Sequence, residues 1–266
     1  MSSTTHASRA SHAPHAPRAS QWLTIAIPTM RRWAFLREQI PIALSRPEVL
    51  EVILCDETGE DVAAASESPW ATDPKLRLVI NPHRLGIYQN KRRCIELAAA
   101  NPQAKMVAVL DSDNAFNDEW FETVSEAVSK EGYGLVYASA DFMTTDTRDG
   151  TIKHPCREFS GLRIYGSDDW NLLLTKPRSH FLTNDGNWVL PAAAALAALP
   201  ANTKSEAVEA ADAIYMLRCF IAAGLRVWYV PGLEYIHRVH PGSSWLQTEA
   251  ASTRILNGID WRVMPL

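Results

Sequence analysis

The sequence has little cysteine and lacks the common phosphate-binding and zinc-binding motifs. Its four cysteines are scattered, with no Cys-x-x-Cys pair among Cys55, Cys94, Cys156 and Cys219. Neither a disulfide framework nor a zinc knuckle is therefore predicted. The patterns Gly-x-Gly-x-x-Gly and Gly-x-x-x-x-Gly-Lys are both absent, which disfavours a hydride-transferring dinucleotide enzyme and a P-loop enzyme. His-Glu-x-x-His, the zinc-peptidase motif, is absent as well.

Neither sign of charge dominates the chain, and no apolar run is long. The 26 Lys and Arg residues face 30 Asp and Glu, which gives a formal net charge of −4. Nucleic-acid-binding domains are usually basic, so no nucleic-acid partner is expected. No apolar stretch reaches the roughly 18 residues of a membrane-spanning helix. We expect a globular, reduced, cytoplasmic protein without an integral membrane segment, and a homo-oligomer stays open.

Residues 1–20 differ in composition from the rest of the chain. They are rich in Ala, Ser, His and Pro and contain no Val, Ile, Leu, Phe, Tyr or Trp. Such a segment cannot bury an apolar face, so it is predicted to be a disordered tail. It also lacks the apolar core of a signal peptide, so no export signal is predicted. The remainder, residues 21–266, is predicted to be one domain.

Short apolar runs alternate with helical patterns from Trp22 onward. The predicted strands are Leu23–Pro28, Val49–Asp56, Lys75–Asn81, Met106–Asp113, Gly134–Ser139 and Leu225–Pro231. The predicted helices are Trp33–Leu44, limited by Pro41, then Tyr88–Ala100, Asn117–Lys130, Ala192–Leu199 and Glu206–Ala223. This alternation predicts an α/β fold with a mainly parallel central sheet flanked by helices. Because the periodicity weakens after Ala140, we expect a Rossmann-like half over 21–140 and a mixed, irregular half over 141–266.

Polar side chains lie at the carboxyl ends of three predicted strands. They are Asp56, Asn81, Asp111 and Asp113. Ligands of open α/β sheets bind beyond these strand ends. Alternation along an extended segment puts Asp111 and Asp113 on one side, and two hard oxygen donors suit Mg²⁺ or Mn²⁺. The alternative is an acidic turn that caps the following helix.

Several short segments follow one another in a characteristic order. In the first half these are LTIAIPTMRR from Leu23, the acidic turn Asp56–Asp61, the set Asn81, Gly86 and Asn90, and the triplet Asp111-Ser112-Asp113. In the second half, Asp212, Arg218 and Gly224 precede a strand and the segment HRVHPGSSW. In this order and spacing, from about Leu23 to Trp245, the chain resembles the inverting, nucleotide-sugar-dependent glycosyltransferases of the GT-A fold, family 2-like.

The resemblance implies a donor site. Asp56 would accept a hydrogen bond from the nucleobase, with uracil favoured, and Pro28 and Thr29 would line the base and ribose pocket. Mn²⁺ or Mg²⁺ would be bound by Asp113 and by His240, and His237 is the alternative to His240. Asp111 would contact the ribose or a metal-bound water. The cation would offset charge on the departing diphosphate. The remaining donor-binding residues are predicted to be Asn81, Asn90, Lys91 and Arg218.

The resemblance also identifies Asp212 as the catalytic base. It would take a proton from the acceptor hydroxyl while that oxygen attacks the anomeric carbon, and one such displacement inverts the configuration. The residue before the base is usually Glu in this family, whereas this chain has Ala211. Glu209, one turn earlier, is therefore the alternative base.

Two further groups have competing interpretations. Gly186-Asn187-Trp188 resembles the acceptor-side loop of the family, where Trp188 would stack on a sugar. A Trp beside apolar residues is more often part of the core, and the same two interpretations apply to Trp170 and Trp245. The basic run 91–93 either meets the diphosphate or forms a solvated helix face.

The sequence therefore predicts a metal-dependent, inverting glycosyltransferase that uses an NDP-sugar, with UDP favoured. A nucleotidyltransferase of similar architecture is one alternative, although it would normally carry a Gly-rich loop near the first strand, where this chain has IPTMRR. A family member that binds nucleotide or glycan without turnover is the other. The transferred sugar and the acceptor are not specified by these patterns.

Overall fold

The computed structural model describes residues 21–146, 152–153, 157–176, 179, 186–201, 203, 208–209 and 211–241. The predicted tail over residues 1–20, Cys156 and Trp245 lie outside the described residues. Among the helices of the described part of the chain, none combines the length and apolar character needed to cross a membrane.

Strands and helices alternate through the first half of the chain. The strands are β1 (Leu23–Thr29), β2 (Val49–Asp56), β3 (Leu76–Ile80) and β4 (Met106–Val109). The helices are α1 (Trp33–Ser45), α2 (Glu60–Ser66), α3 (Ile87–Ala99) and α4 (Asp118–Glu131). Three predictions need correction. Helix α1 continues past Pro41 to Ser45, and the acidic turn after β2 leads into α2, which was not predicted. Strand β4 ends at Val109 instead of Asp113, so Asp111 and Asp113 lie in the turn beyond the strand.

After α4, the described part of the chain contains two long strands and several short ones. Its strands are β5 (Leu135–Asp146), β6 (Ile152–Lys153), β7 (Arg163–Ile164), β8 (Val189–Pro191) and β9 (Arg226–Val239). Its helices are α5 (Ser167–Leu174), α6 (Ala192–Ala198) and α7 (Asp212–Ala222), besides a single 3₁₀ turn at Arg157–Phe159. The predicted end of the last strand at Pro231 is wrong, since β9 continues to Val239.

The strands form one sheet in the order β3-β2-β1-β4-β8-β5-β9-β7, with β6 paired to β5. β1 pairs in parallel with β2 and β4, β2 with β3, and β5 with β9 over most of its length. β8 runs antiparallel between β4 and β5. The predicted α/β fold, with a mixed, mostly parallel sheet flanked by helices, is confirmed.

Apolar strand residues and the inner helix faces form one continuous core. Residues Ile25, Ala26 and Ile27 of β1 have no exposed surface, because helices cover both faces of the sheet. Within the described residues the free cysteines are buried, namely Cys55, Cys94 and Cys219.

Trp188 belongs to this core. Its side chain is 0% exposed, and its ring meets Phe220 of α7 edge-on at a centroid distance of 5.7 Å. A ring in this position has no surface for an acceptor sugar, so the structure supports the core interpretation of Trp188 instead of the predicted stacking. Trp170, at 2% exposed, is buried in the same way.

Replacing Trp188 tests this placement. Because a large buried ring is removed, Trp188→Ala is expected to lower the free energy of unfolding by about 3–5 kcal/mol, measured by chemical denaturation. The control is Leu172→Ala, at a residue that is 61% exposed, where the change should stay within about 0.5 kcal/mol. Equal, small losses in both variants would contradict the core placement.

Candidate functional site

The candidate site lies at the carboxyl edge of the parallel strands. Thr29 at the end of β1 pairs in register with Asp56 at the end of β2. β4 lies on the other side of β1, and Asp111 and Asp113 follow it directly. Because parallel strands end at one edge, residues far apart in the chain meet here.

The carboxylate of Asp56 organises the turn between β2 and α2. Its Oδ1 accepts hydrogen bonds from the amide and hydroxyl of Thr58, at 2.9 and 3.3 Å. Its Oδ2 accepts from the amides of Asp61 and Val62, at 2.8 and 3.0 Å, which would otherwise lack partners at the start of α2. A carboxylate has about four acceptor positions, and the side chain is fully buried. This arrangement disfavours direct contact of the Asp56 side chain with a nucleobase.

Asp61 holds the neighbouring turn after β1, and sequence reasoning did not single it out as a site residue. Its carboxylate accepts from the Thr29 hydroxyl at 2.5 Å and from the Arg32 amide at 2.9 and 3.0 Å. Between these donors Arg31 has φ +60°, a conformation uncommon outside glycine. The signal that could have found Asp61 is its place in the acidic turn. Asp61 fixes the shape of the loop that follows the predicted base-pocket residues.

Asn81 and Asn90 form a buried amide pair. The Asn81 side-chain nitrogen donates to Oδ1 of Asn90 at 2.9 Å, and the Asn90 nitrogen donates to the Cys55 carbonyl at 3.3 Å. The backbone amide of Asn81 also donates to the backbone carbonyl of Asp56 at 2.8 Å. These bonds tie β2, β3 and α3 together. Donor contact by either Asn stays a prediction.

Lys91 joins two of the predicted acids. Its ammonium nitrogen lies 2.9 Å from Oδ1 of Asp111 and 2.8 Å from Oδ2 of Asp212. Its side chain is only 5% exposed. Burial by itself would lower the pKa of Lys91, but the two carboxylates outweigh it and hold that pKa above its ordinary value. Lys91 is therefore a charged group between the predicted donor site and the predicted base.

The other residues of the basic run contact different groups. The Arg92 guanidinium approaches the Leu199 carbonyl at 3.5 Å, and Arg93 pairs with Glu96 at 2.8 Å on the surface of α3. Of the three, Lys91 is the one that joins the acids.

The segment before β8 packs against this ion pair. The Asn187 side-chain oxygen accepts a hydrogen bond from the Asp111 amide at 3.0 Å. A Cβ on Gly186 would lie 2.7 Å from the Lys91 nitrogen and 3.4 Å from Oδ2 of Asp111. Only glycine leaves space for the ammonium as it stands. Acceptor contact by Gly186 and Asn187 stays a prediction.

Asp113 and His240 form a second pair. Nε2 of His240 lies 3.2 Å from Oδ2 of Asp113, and its ring packs on Phe35 at a centroid distance of 4.8 Å. The extension of β9 beyond Pro231 brings His240 to this edge of the sheet. This pair joins two residues that were predicted to bind metal.

His237 lies on the same strand, closer to the sheet. Burial lowers the pKa of His237, although the charges of Asp113 and Asp111 act in the opposite direction. The lowered pKa favours the neutral form of the imidazole. It remains the alternative to His240 as a ligand.

A divalent cation fits this arrangement through two residues. No group of three His, Cys, Asp or Glu side chains could hold a metal within the part of the chain that is described. Mg²⁺ commonly takes one or two protein carboxylates and fills its shell with water and substrate phosphates. Asp113 and His240 suit such a partial site, whereas Asp111 is engaged by Lys91. Metal binding by Asp111, Asp113 and His240 stays a prediction.

The side chain of Glu209 contacts the backbone at the start of α3. Its Oε2 accepts the Ile87 amide at 2.7 Å, and a Cβ on Gly86 would meet that oxygen at 2.8 Å. Burial raises the pKa of Glu209, and the nearby Asp212 adds to the increase. Glu57 accepts the Leu85 amide at 3.1 Å. The amides at this helix end therefore bind two glutamates.

The remaining predicted residues lie in distinct places. Pro28 is half-buried near the end of β1, opposite Cys55. Arg218 lies six residues into α7, and its charge lowers the pKa of Tyr215 and of Cys219 against the larger effect of burial. Donor contact by Pro28 and Arg218 stays a prediction.

The sequence matches the family model described as Glycosyl transferase family 2 over residues 24–190, which is more than half of the chain and runs from β1 to β8. No curated protein matches the sequence. Solved structures of S. aureus TarS resemble the fold. The TarS 1-349 complex with UDP-GlcNAc has 13% identity and a TM-score of 0.60, covering 90% of this chain and 67% of that one. The complex with UDP has 14% identity and a TM-score of 0.59, covering 90% and 66%.

At these identities the likeness to TarS shows the fold alone. The chain spans about two thirds of the TarS 1-349 structures, 66% of the one without a named ligand, and 40% of a longer TarS structure. The family rests on the sequence match. The chain belongs to glycosyl transferase family 2, with a GT-A-like fold.

Proposed function

We propose that the chain transfers a sugar from an NDP-sugar, with UDP favoured, to an acceptor hydroxyl or similar nucleophile, with inversion and with Mn²⁺ or Mg²⁺. The observation that carries the proposal is the meeting, at one edge of the sheet, of the Asp113–His240 pair and the Lys91-linked Asp111 and Asp212. The TarS structures with UDP-GlcNAc and with UDP support a uridine nucleotide.

The donor nucleoside is proposed to lie beside Pro28 and Thr29, at the ends of β1 and β2. Asp56 and Asp61 shape the two turns of this pocket through the hydrogen bonds that they accept from backbone amides. Their contribution is rigidity, since a pocket whose turns are already hydrogen-bonded loses less conformational entropy on binding.

The diphosphate is proposed to lie near Asp113 and His240. These two residues would hold the cation together with diphosphate oxygens and water. When bound, the cation supplies Lewis-acid stabilisation of the charge on the departing nucleoside diphosphate. Burial lowers the pKa of His237, which favours the neutral imidazole, so His237 is not counted among the positive charges near the diphosphate.

Asp212 is proposed as the base. It is the first residue of α7, where the helix dipole favours a negative charge. It takes the proton of the acceptor hydroxyl while the oxygen forms a bond to the anomeric carbon. The bond from that carbon to the diphosphate oxygen breaks, and the nucleoside diphosphate leaves with the electron pair. A single displacement of this kind inverts the anomeric configuration.

Metal-dependent nucleotide binding is the first test. UDP with Mn²⁺ should stabilise the folded protein, by about 2.7 kcal/mol at a hundredfold excess over Kd, and thermal unfolding would measure this. Asp113→Asn and His240→Ala should lose the part that depends on Mn²⁺. Glu60→Gln, at an exposed ion pair with Arg31, should keep it.

Two results would contradict this account. Absence of a shift with every nucleoside diphosphate and metal would contradict the donor site. An unchanged Mn²⁺-dependent shift in both the Asp113 and His240 variants would contradict the metal assignment.

Replacement of the base is the second test. Asp212→Asn should lower turnover by about 10²-fold or more, in line with general-base contributions, while the Kd for UDP with Mn²⁺ changes little. Glu209→Gln should lose less than about tenfold, because its amide oxygen can still accept the Ile87 amide. Steady-state rates and calorimetry measure both. The reverse order of losses would identify Glu209 as the base.

A further inference from the structure

We propose that Lys91 is the positioning residue of the reaction: it holds Asp212 in place and couples it to Asp111 on the donor side. The inference rests on the proposed function, because it takes Asp212 as the base. It assigns to Lys91 a role different from binding of the diphosphate.

Three separate segments meet at the Lys91 ammonium. Lys91 comes from α3, Asp111 follows β4, and Asp212 begins α7. Among the described residues, Lys91 is the only cation in an ion pair with either of these carboxylates. It thus joins the first half of the chain, which contributes α3 and β4, to the second half, which carries the proposed base.

The charges explain why the link matters. The two oxygens that Lys91 contacts lie less than about 6 Å apart, since each is within 3 Å of one nitrogen. Two carboxylates so close repel each other, and burial strengthens the repulsion. Without the ammonium, the Asp212 carboxylate would turn away from Asp111. This movement would take the base out of its position.

Gly186 fits the ammonium closely. A Cβ at this residue would stand 2.7 Å from the Lys91 nitrogen, and the neighbouring Asn187 holds the Asp111 amide. A substitution at Gly186 would therefore displace the ammonium without changing any charge. This offers a second way to break the same link.

Helix α3 is itself anchored at two residues that precede Lys91. Asn90 binds Asn81 and the Cys55 carbonyl. The Ile87 amide binds Glu209, three residues before Asp212. The segment that leads into α7 therefore meets α3 at two points, at Glu209 and at Asp212. Because the Ile87 amide donates a hydrogen bond to Glu209, Glu209 is itself held in place and contributes to the position of Asp212.

A positioning residue and a donor ligand differ in which kinetic quantity they change. If Lys91 holds the base, its loss lowers kcat and leaves donor affinity nearly constant. If it binds the diphosphate, its loss weakens donor binding. The effect of losing Lys91 should also disappear once Asp212 is gone, because residues that act as a unit are not additive.

The experiment compares Lys91→Met with Arg93→Met, which removes one positive charge from an exposed pair on the same helix. Wild-type turnover of NDP-sugars with Mn²⁺ is measured first. Lys91→Met should then lower kcat by about 30-fold or more, with the Kd for UDP and Mn²⁺ within about threefold. Arg93→Met should change neither by more than about threefold. Adding Lys91→Met to Asp212→Asn should cost less than about threefold further.

Lys91→Arg and Gly186→Ala complete the set. Because the Lys91 nitrogen already lies close to Gly186, we expect the larger guanidinium to be displaced, and Lys91→Arg should recover less than a tenth of the lost rate. Gly186→Ala should reproduce the loss in kcat with donor affinity unchanged, and it replaces Lys91→Met if that variant does not fold.

The outcomes separate the two proposals. Absence of wild-type turnover with every NDP-sugar overturns the proposed function and this inference with it. With an active wild type, a Kd raised more than tenfold at constant kcat, or full additivity with Asp212→Asn, overturns the inference alone.

Discussion

The site depends on one buried ammonium between two carboxylates. Lys91 is nearly inaccessible to solvent and contacts Asp111 and Asp212 at under 3 Å. A buried ion pair of this kind is weak evidence for stability, because desolvation offsets much of the attraction, whereas loss of one partner leaves an uncompensated buried charge. Its value here is geometric, since it fixes two acids from distant segments. Gly186, Asn187 and the anchors of α3 all serve this arrangement.

The acids at the sheet edge divide into two groups by what they contact. Asp56 accepts hydrogen bonds from its own turn, chiefly from backbone amides. Asp61 accepts from the Thr29 hydroxyl and the Arg32 amide of the neighbouring turn after β1. Asp111, Asp113 and Asp212 instead contact the side chains of Lys91 and His240. The first group builds the pocket and the second is proposed to carry the chemistry.

Local patterns predicted the fold well, because apolar runs and helical periodicity record burial directly. The misses arose where tertiary contacts override local signals. Pro41 is tolerated within α1, α2 depends on capping by Asp56, and β9 continues past Pro231 because it pairs with β5. The resemblance selected Asp111 and Asp212, and the basic run 91–93 suggested Lys91, but the contact among the three arises only when β4, α3 and α7 assemble. The sequence left two interpretations of Trp188, acceptor stacking and core packing, and its burial against Phe220 supports the core interpretation.

The proposed function makes this family 2 chain a metal-dependent glycosyltransferase whose chemistry occurs at the carboxyl edge of the sheet. Its most direct test is the release of nucleoside diphosphate from a panel of NDP-sugars, with and without Mn²⁺. The account predicts release from at least one donor, with UDP-sugars first, and its loss when the metal is chelated. Release of no nucleoside diphosphate from any donor in the presence of metal would contradict it.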